Sequence, residues 1–276
     1  MKTQTNFTNG LIKGLALSGL IFTAGAITPA MAKLSLDDEQ CNVTLNYDVT
    51  VEPKKLLISE KGEELYRVEM GELYVEGSKI DLDSKQRNLL TNYSEELSQQ
   101  VPEIIDLVNE VVVLATDAVS LALTPIFGDA TGAKLDELLA GIQTRIDEAA
   151  YQQGDKFYLG ATESSIEEAF NEDFEQEMEA MIKNSMGSFM MALGAEMMSS
   201  EGGSFEEKME AFSTKMERVG EDIELQIADQ SEAIEAKAEK ICADFEELMV
   251  LESEVRQSIP ELASYQLATL DNTQYE

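Results

Sequence analysis

Between Cys41 and Val51 apolar and polar positions alternate without a fault. Cys41, Val43, Leu45, Tyr47, Val49 and Val51 fall on one side, and Asn42, Thr44, Asn46, Asp48 and Thr50 on the other. A period of two predicts a half-buried strand with Cys41 on its inward face, and Pro53 stops it. Shorter strands are expected at residues 55–59, 64–70, 72–75 and 79–82, separated by tight turns at Lys61-Gly62, Gly71 and Glu76-Gly77. The segment reads as a small antiparallel meander, which needs a covering layer to be stable.

The period then changes. Asp83 and Gln86 have the spacing of a capping box, predicting a helix from Ser84 to about Gln99 with Leu89, Leu90, Tyr93 and Leu97 on one face. Pro102 sits where a first-turn proline starts the next helix. From Ile104 to Leu123 that helix is apolar nearly all round, which predicts a central, buried element. Pro125 and residues 128–132 form a loop, and Leu135, Leu138, Leu139, Ile142 and Ile146 mark an amphipathic helix ending near Gln153-Gly154. Residues 156–160 read as a short extended connection. Helix resumes at Ser164 and runs to about Met198, where residues 199–204 break it. The longest element is an amphipathic helix from Phe205 to Val255, with Met209, Phe212, Met216, Val219, Ile223, Ile227, Ile234, Ile241, Phe245 and Leu248 on its stripe. The stripe drifts, so no strict heptad is held. The chain beyond Ser264 is polar and expected to fray.

These elements predict an α+β fold, a small N-terminal antiparallel β-meander followed by a mostly helical body with two long antiparallel amphipathic helices across residues 199–204. The expected division is 1–32 signal peptide, 33–82 sheet, 83–260 helical region packed on the sheet, and 261–276 polar tail. The C-terminal half of the last helix is expected as a docked wall, and the half near Gly202-Gly203 as an exposed arm.

The first residues set the compartment. Lys2 and Lys13, the only charges before Lys33, precede a short apolar run from Leu15 to Ala24, and Pro29-Ala30-Met31-Ala32 ends in the small-x-small pattern of signal cleavage. The run falls short of the roughly 20 apolar residues of a membrane span, so no stable span is expected after cleavage. Removing residues 1–32 takes away two lysines and no acid, moving the net charge from −34 to −36. So acidic a chain does not bind nucleic acid or anionic lipid by bulk attraction. It leaves basic partners, divalent cations and neutral apolar surfaces, or a surface charged for solubility. Two cysteines in an exported chain favour one disulfide, Cys41–Cys242, with an intermolecular bridge or two free thiols as alternatives.

The candidate chemistry is defined by what is missing. Without a single His, Ser-His-Asp, Cys-His and His-ligated metal sites are excluded. No phosphate-loop, Cys-x-x-Cys or EF-hand pattern occurs, and no catalytic residue, metal ligand or cofactor is assigned. One local oddity remains. Met178, Met181, Met186, Phe189, Met190, Met197 and Met198 crowd one segment, with Met191 among them. Flexible thioether side chains suit an adaptable partner-binding surface; helical spacing also suits core packing, and soft sulfur suits Cu(I).

Gly71, Gly77, Leu82, Gln86-Arg87, Tyr93, Leu97 and Pro102, with Cys41 upstream and Cys242 near the far end, resemble the YggN-like family of exported proteins from Gram-negative bacteria, a domain of unknown function. The resemblance implies a periplasmic location and transfers no catalytic residue. On its long amphipathic helices, its Met-rich segment and its absent catalytic groups, the expected function is a periplasmic, non-enzymatic binding or scaffolding protein contacting an envelope protein or polypeptide through its Met-rich helices. The alternative is an acidic cation-binding or buffering protein.

Overall fold

Hairpin chemistry builds the sheet. In a computed structural model that describes residues 35–38, 41–127, 129–180, 183, 187, 191, 194 and 205–270, the strands are β1 (Ser35–Asp38), β2 (Cys41–Leu45), β3 (Asp48–Glu52), β4 (Lys55–Glu60), β5 (Glu63–Glu69), β6 (Glu72–Val75) and β7 (Ser78–Ile80). The expected signal segment 1–32 and the expected break at 199–204 lie outside the described residues. Lys61-Gly62, Met70-Gly71 and Glu76-Gly77 each place both central turn residues at positive φ, between 48° and 78°. That is the two-residue turn whose twist matches antiparallel strands. Three such turns in a row fold β4 to β7 as a meander, as the Gly spacing predicts.

The long alternating strand is in fact two. It breaks at Asn46-Tyr47, where the Asn46 N–H donates to the Leu267 carbonyl at 2.8 Å and its amide to Gln266 O at 3.0 Å. β2 joins a three-stranded sheet, order β1-β2-β10, whose last member is β10 (Ala268–Leu270). β3 enters a seven-stranded sheet, order β7-β6-β5-β4-β3-β9-β8, completed by the hairpin β8 (Ala150–Gln153) and β9 (Lys156–Leu159). All pairings are antiparallel. Strands are thus not confined to residues 33–82, and part of the stretch expected to fray is paired, with Leu267 and Ala268 buried. The expected water face of β3 is also corrected: Asp48 and Thr50 are buried along with Val49 and Val51.

Helix α1 runs unbroken over Ser84–Phe127, 44 residues, roughly 66 Å at 1.5 Å per residue. The capping box forms as expected: the Gln86 N–H donates to Asp83 Oδ1 at 2.8 Å, and the Asp83 N–H to Gln86 Oε1 at 2.9 Å. Pro102, expected to open a second helix, lies inside α1. An interior proline costs about 3 kcal/mol. Val101, Ile104 and Ile105 around it are fully buried, each worth about 1.5–3 kcal/mol, so packing holds the helix through it. α2 (Asp129–Ala149) follows almost at once, without the loop expected around residues 128–132. α3 (Glu163–Ala169) is capped by Thr162, and residues 172–180 form a further helical turn set capped by Asn171. The last helix, α4, covers Phe205–Ser258, 54 residues or roughly 81 Å, followed by a 3-10 turn at Pro260–Leu262.

Among the described residues the long antiparallel pair is α1 with α4, whereas the pair expected across residues 199–204 has its turn outside the described residues. Gln86 reaches Ser258 O at 2.7 Å, Gln100 reaches Asp244 at 3.1 Å, Lys240 reaches Glu103 at 2.6 Å and Lys237 reaches Glu110 at 3.0 Å. One number rises as the other falls. Leu90, Tyr93, Leu97 and Ile104 of α1, with Ile241, Phe245, Leu248 and Val255 of α4, pack with Leu56, Ile58, Tyr66 and Leu159 of the sheet into one core. Beyond Leu114 on α1 and before Ile241 on α4 these two helices bury no described side chain fully, and neither does α2. The apolar run from Ile104 to Leu123 is therefore core only in its first part. Val113 is 54% exposed and Val119 37%, because α1 outruns the sheet that would cover it.

A glycine pair tests the turn argument. Gly71→Ala, at φ 78°, is expected to cost about 1–2 kcal/mol, whereas Gly141→Ala, inside α2 with open space around it, gains about 0.4–1 kcal/mol. Urea unfolding of both variants reads the difference, and equal effects would contradict the turn assignment.

Candidate functional site

The described residues offer three places where side chains converge, while most of the Met-rich segment lies outside them. Of its expected binding residues, Met178 is half-buried on the helical residues 172–180, while Met181, Met186, Phe189, Met190, Met197 and Met198 lie outside the residues whose side chains are described. Met191, in the same segment, is 76% exposed. Of the cysteines, Cys41 opens β2, and Cys242 is buried beside Ile241 and Phe245 on the inner face of α4, which packs against β2.

The first place is a clasp. Asp48 of β3 is buried, and its Oδ1 accepts from the Ala161 N–H at 2.9 Å, the Thr162 N–H at 3.0 Å and the Thr162 hydroxyl at 3.0 Å. Its Oδ2 accepts from the Ser165 hydroxyl at 2.6 Å. Charge-assisted bonds of this kind are the strong ones, and they repay burial of the carboxylate. Gly160 turns into this segment so tightly that a Cβ would stand 3.0 Å from the Ala149 carbonyl and 3.0 Å from Ser165 Cβ. The hydroxyls of Thr162 and Ser165 face a carboxylate and each other, with no imidazole in the chain. The arrangement holds a strand to a helix start.

The second is built the same way. Glu252 of α4 is buried, and its carboxylate accepts from the Leu267 and Ala268 N–H groups that lead into β10. Burial pushes its pKa above the ordinary carboxylate value, opposed by those two backbone donors and by Arg256. Around it lie tyrosines. The Tyr66 and Tyr93 hydroxyls meet at 3.2 Å with both rings fully buried, and burial raises both phenols. Tyr265 stands with its ring 5.8 Å from Tyr66 and 6.4 Å from Tyr47, and its hydroxyl donates to Glu76 at 3.0 Å. One signal for Glu252 was present in the sequence: Phe245, Leu248, Glu252 and Val255 keep the three-four spacing of the apolar stripe. No comparable signal marked Asp48, which sits at a polar position of an alternating strand.

The third place is open. Val113, Thr116, Asp117 and Ser120 of α1 face Leu139, Ala140 and Gln143 of α2 across a shallow groove of about 270 Å³. Among the described residues no three Asp, Glu or Cys side chains converge to hold a metal ion, and no helix is long and apolar enough to cross a membrane.

Set beside known proteins, residues 41–268 match a family model described as "Protein of unknown function (DUF2884)". No curated protein and no solved structure shows a significant match.

The raised pKa of Glu252 makes a signed prediction. In the folded protein the group binds its proton more tightly than when unfolded, so its stabilising share is complete below the unfolded value of 4.5 and is lost as pH rises through the folded value. The stability difference between wild type and Glu252→Gln should therefore shrink from pH 4 upward and then level off. Urea unfolding across that range checks it, and a difference that grows with pH would contradict the burial argument.

Proposed function

We propose that this chain, which belongs to the DUF2884 family of proteins of unknown function, is an exported, non-enzymatic binding or scaffolding protein that contacts other envelope polypeptides through its helical extension. The observation that carries the reading is the second half of α1. A run that is apolar nearly all round ordinarily seeks burial, yet here Val113 and Val119 stay in water and the groove against α2 stays open. Such a surface on helices anchored in a firm core suits capture of apolar segments. The finer identity, a YggN-like periplasmic protein with residues 1–32 removed on export, belongs to the same reading and is supported by the residue pattern from Gly71 to Pro102. The Met-rich segment would extend this surface. The cation-binding alternative has no converging ligand set among the described residues to favour it.

The expected outcome is that purified protein slows the aggregation of a chemically unfolded model polypeptide and crosslinks to envelope polypeptides in intact cells. Val113→Glu with Val119→Glu should abolish both while leaving thermal unfolding nearly unchanged, because both side chains already meet water. Clean negatives for the wild type in both assays would sink the reading.

A Cys41–Cys242 bridge belongs to the proposal as well. Its support is the burial of Cys242 on α4 where that helix packs against β2, which opens at Cys41. Cys242→Ser should lose the mobility change on reduction in non-reducing electrophoresis and about 2–5 kcal/mol of stability; a mobility change that survives the substitution would refute the bridge.

A further inference from the structure

Resting on the reading above, we propose that the groove between α1 and α2 takes one class of partner: a cationic amphipathic helix, seated with apolar side chains on Val113 and Leu139 and a Lys or Arg on Asp117. Three observations select this occupant. The groove is open and about 270 Å³, smaller than the enclosed pockets of roughly 300–1,000 Å³ that hold small-molecule ligands. It has room for a few side chains presented by a neighbouring helix. Its lining joins apolar Val113, Leu139 and Ala140 to a carboxylate, Asp117, that has no cationic partner among the described residues, whereas Glu110 one helical stretch earlier is paired with Lys237 at 3.0 Å. Finally, α1 carries no Lys or Arg after Arg87, so nothing on that helix competes for the charge.

The chain's own charge decides between a second copy and a foreign segment. At a net −34, two copies brought groove to groove repel one another, and the same field draws in a basic segment. An anionic or purely apolar helix gains nothing at Asp117. A basic amphipathic one gains apolar burial and the ion pair together, the helix-in-groove mode of recognition.

The test uses purified protein and a labelled 14-residue helical peptide of Leu and Lys at amphipathic spacing, with a Leu/Glu counterpart and an oligolysine of equal charge as controls. Saturable one-to-one binding of the Leu/Lys peptide is expected, weaker in high salt. Asp117→Asn should reduce affinity about three- to fivefold, the size of one partly exposed ion pair, and Val113→Glu should reduce it more than tenfold with thermal unfolding unchanged. Equal binding of the Leu/Glu peptide, oligolysine binding as tight as the Leu/Lys peptide, or no response to either substitution would overturn the assignment. If the Leu/Lys peptide fails to bind while aggregation is still suppressed, this inference falls and the wider reading stands; if suppression fails too, both fall.

Discussion

A carboxylate buried against consecutive backbone N–H groups is the constraint on which the structure turns, and the chain uses it twice. Asp48 holds Ala161 and Thr162; Glu252 holds Leu267 and Ala268. Each joins a regular element to a segment arriving from elsewhere, across 113 positions in the case of Asp48 and Ala161. An unpaired buried carboxylate would be prohibitive, so each holds its partner segment to a single position. With β9 fixed beside β3 and β10 beside β2, the split of the first long strand between two sheets is settled. The core of α1, α4 and the sheet closes over it.

Much of this was legible in the residues. Lys61-Gly62 and Glu76-Gly77 announced their turns because few sequences tolerate two adjacent positive φ angles, and Asp83 with Gln86 announced the start of α1 because a capping box is local. The failures share a cause in partners far away in sequence. Asn46 looked like one more polar position of a single strand until the carbonyls of Gln266 and Leu267 bent the chain there. Pro102 looked like a helix start because the packing of Val101, Ile104 and Ile105 that overrides it is tertiary. At the candidate groove the composition was visible and the exposure was not. Apolarity around α1 signalled burial, and only the length of the helix against the sheet showed that its far part runs past the sheet, leaving Val113 and Val119 exposed.

Charge and shape act together in that far part. Acids dominate α1, α2 and α4 alike, which keeps an apolar surface from seeking its own kind. The cross-helix pairs Lys237–Glu110 and Lys240–Glu103 are exposed and individually weak. They set the register of α1 on α4 more than they stabilise it, and the firm attachment lies deeper, at Leu97, Val101, Ile241 and Phe245.

The pairing of β2 with β10 carries a consequence for the order in which the molecule is made. β2 is among the first strands to be synthesised, and its partner β10 is nearly the last; β3 likewise waits for β9. During vectorial synthesis the β4–β7 meander has its neighbours at once, while β2 has an open edge until β10 emerges. Such long-range closure slows folding and leaves an aggregation-prone edge unpaired in the interval. A chain wired this way completes its first sheet only once β10 has reached β2, however early β2 itself was made.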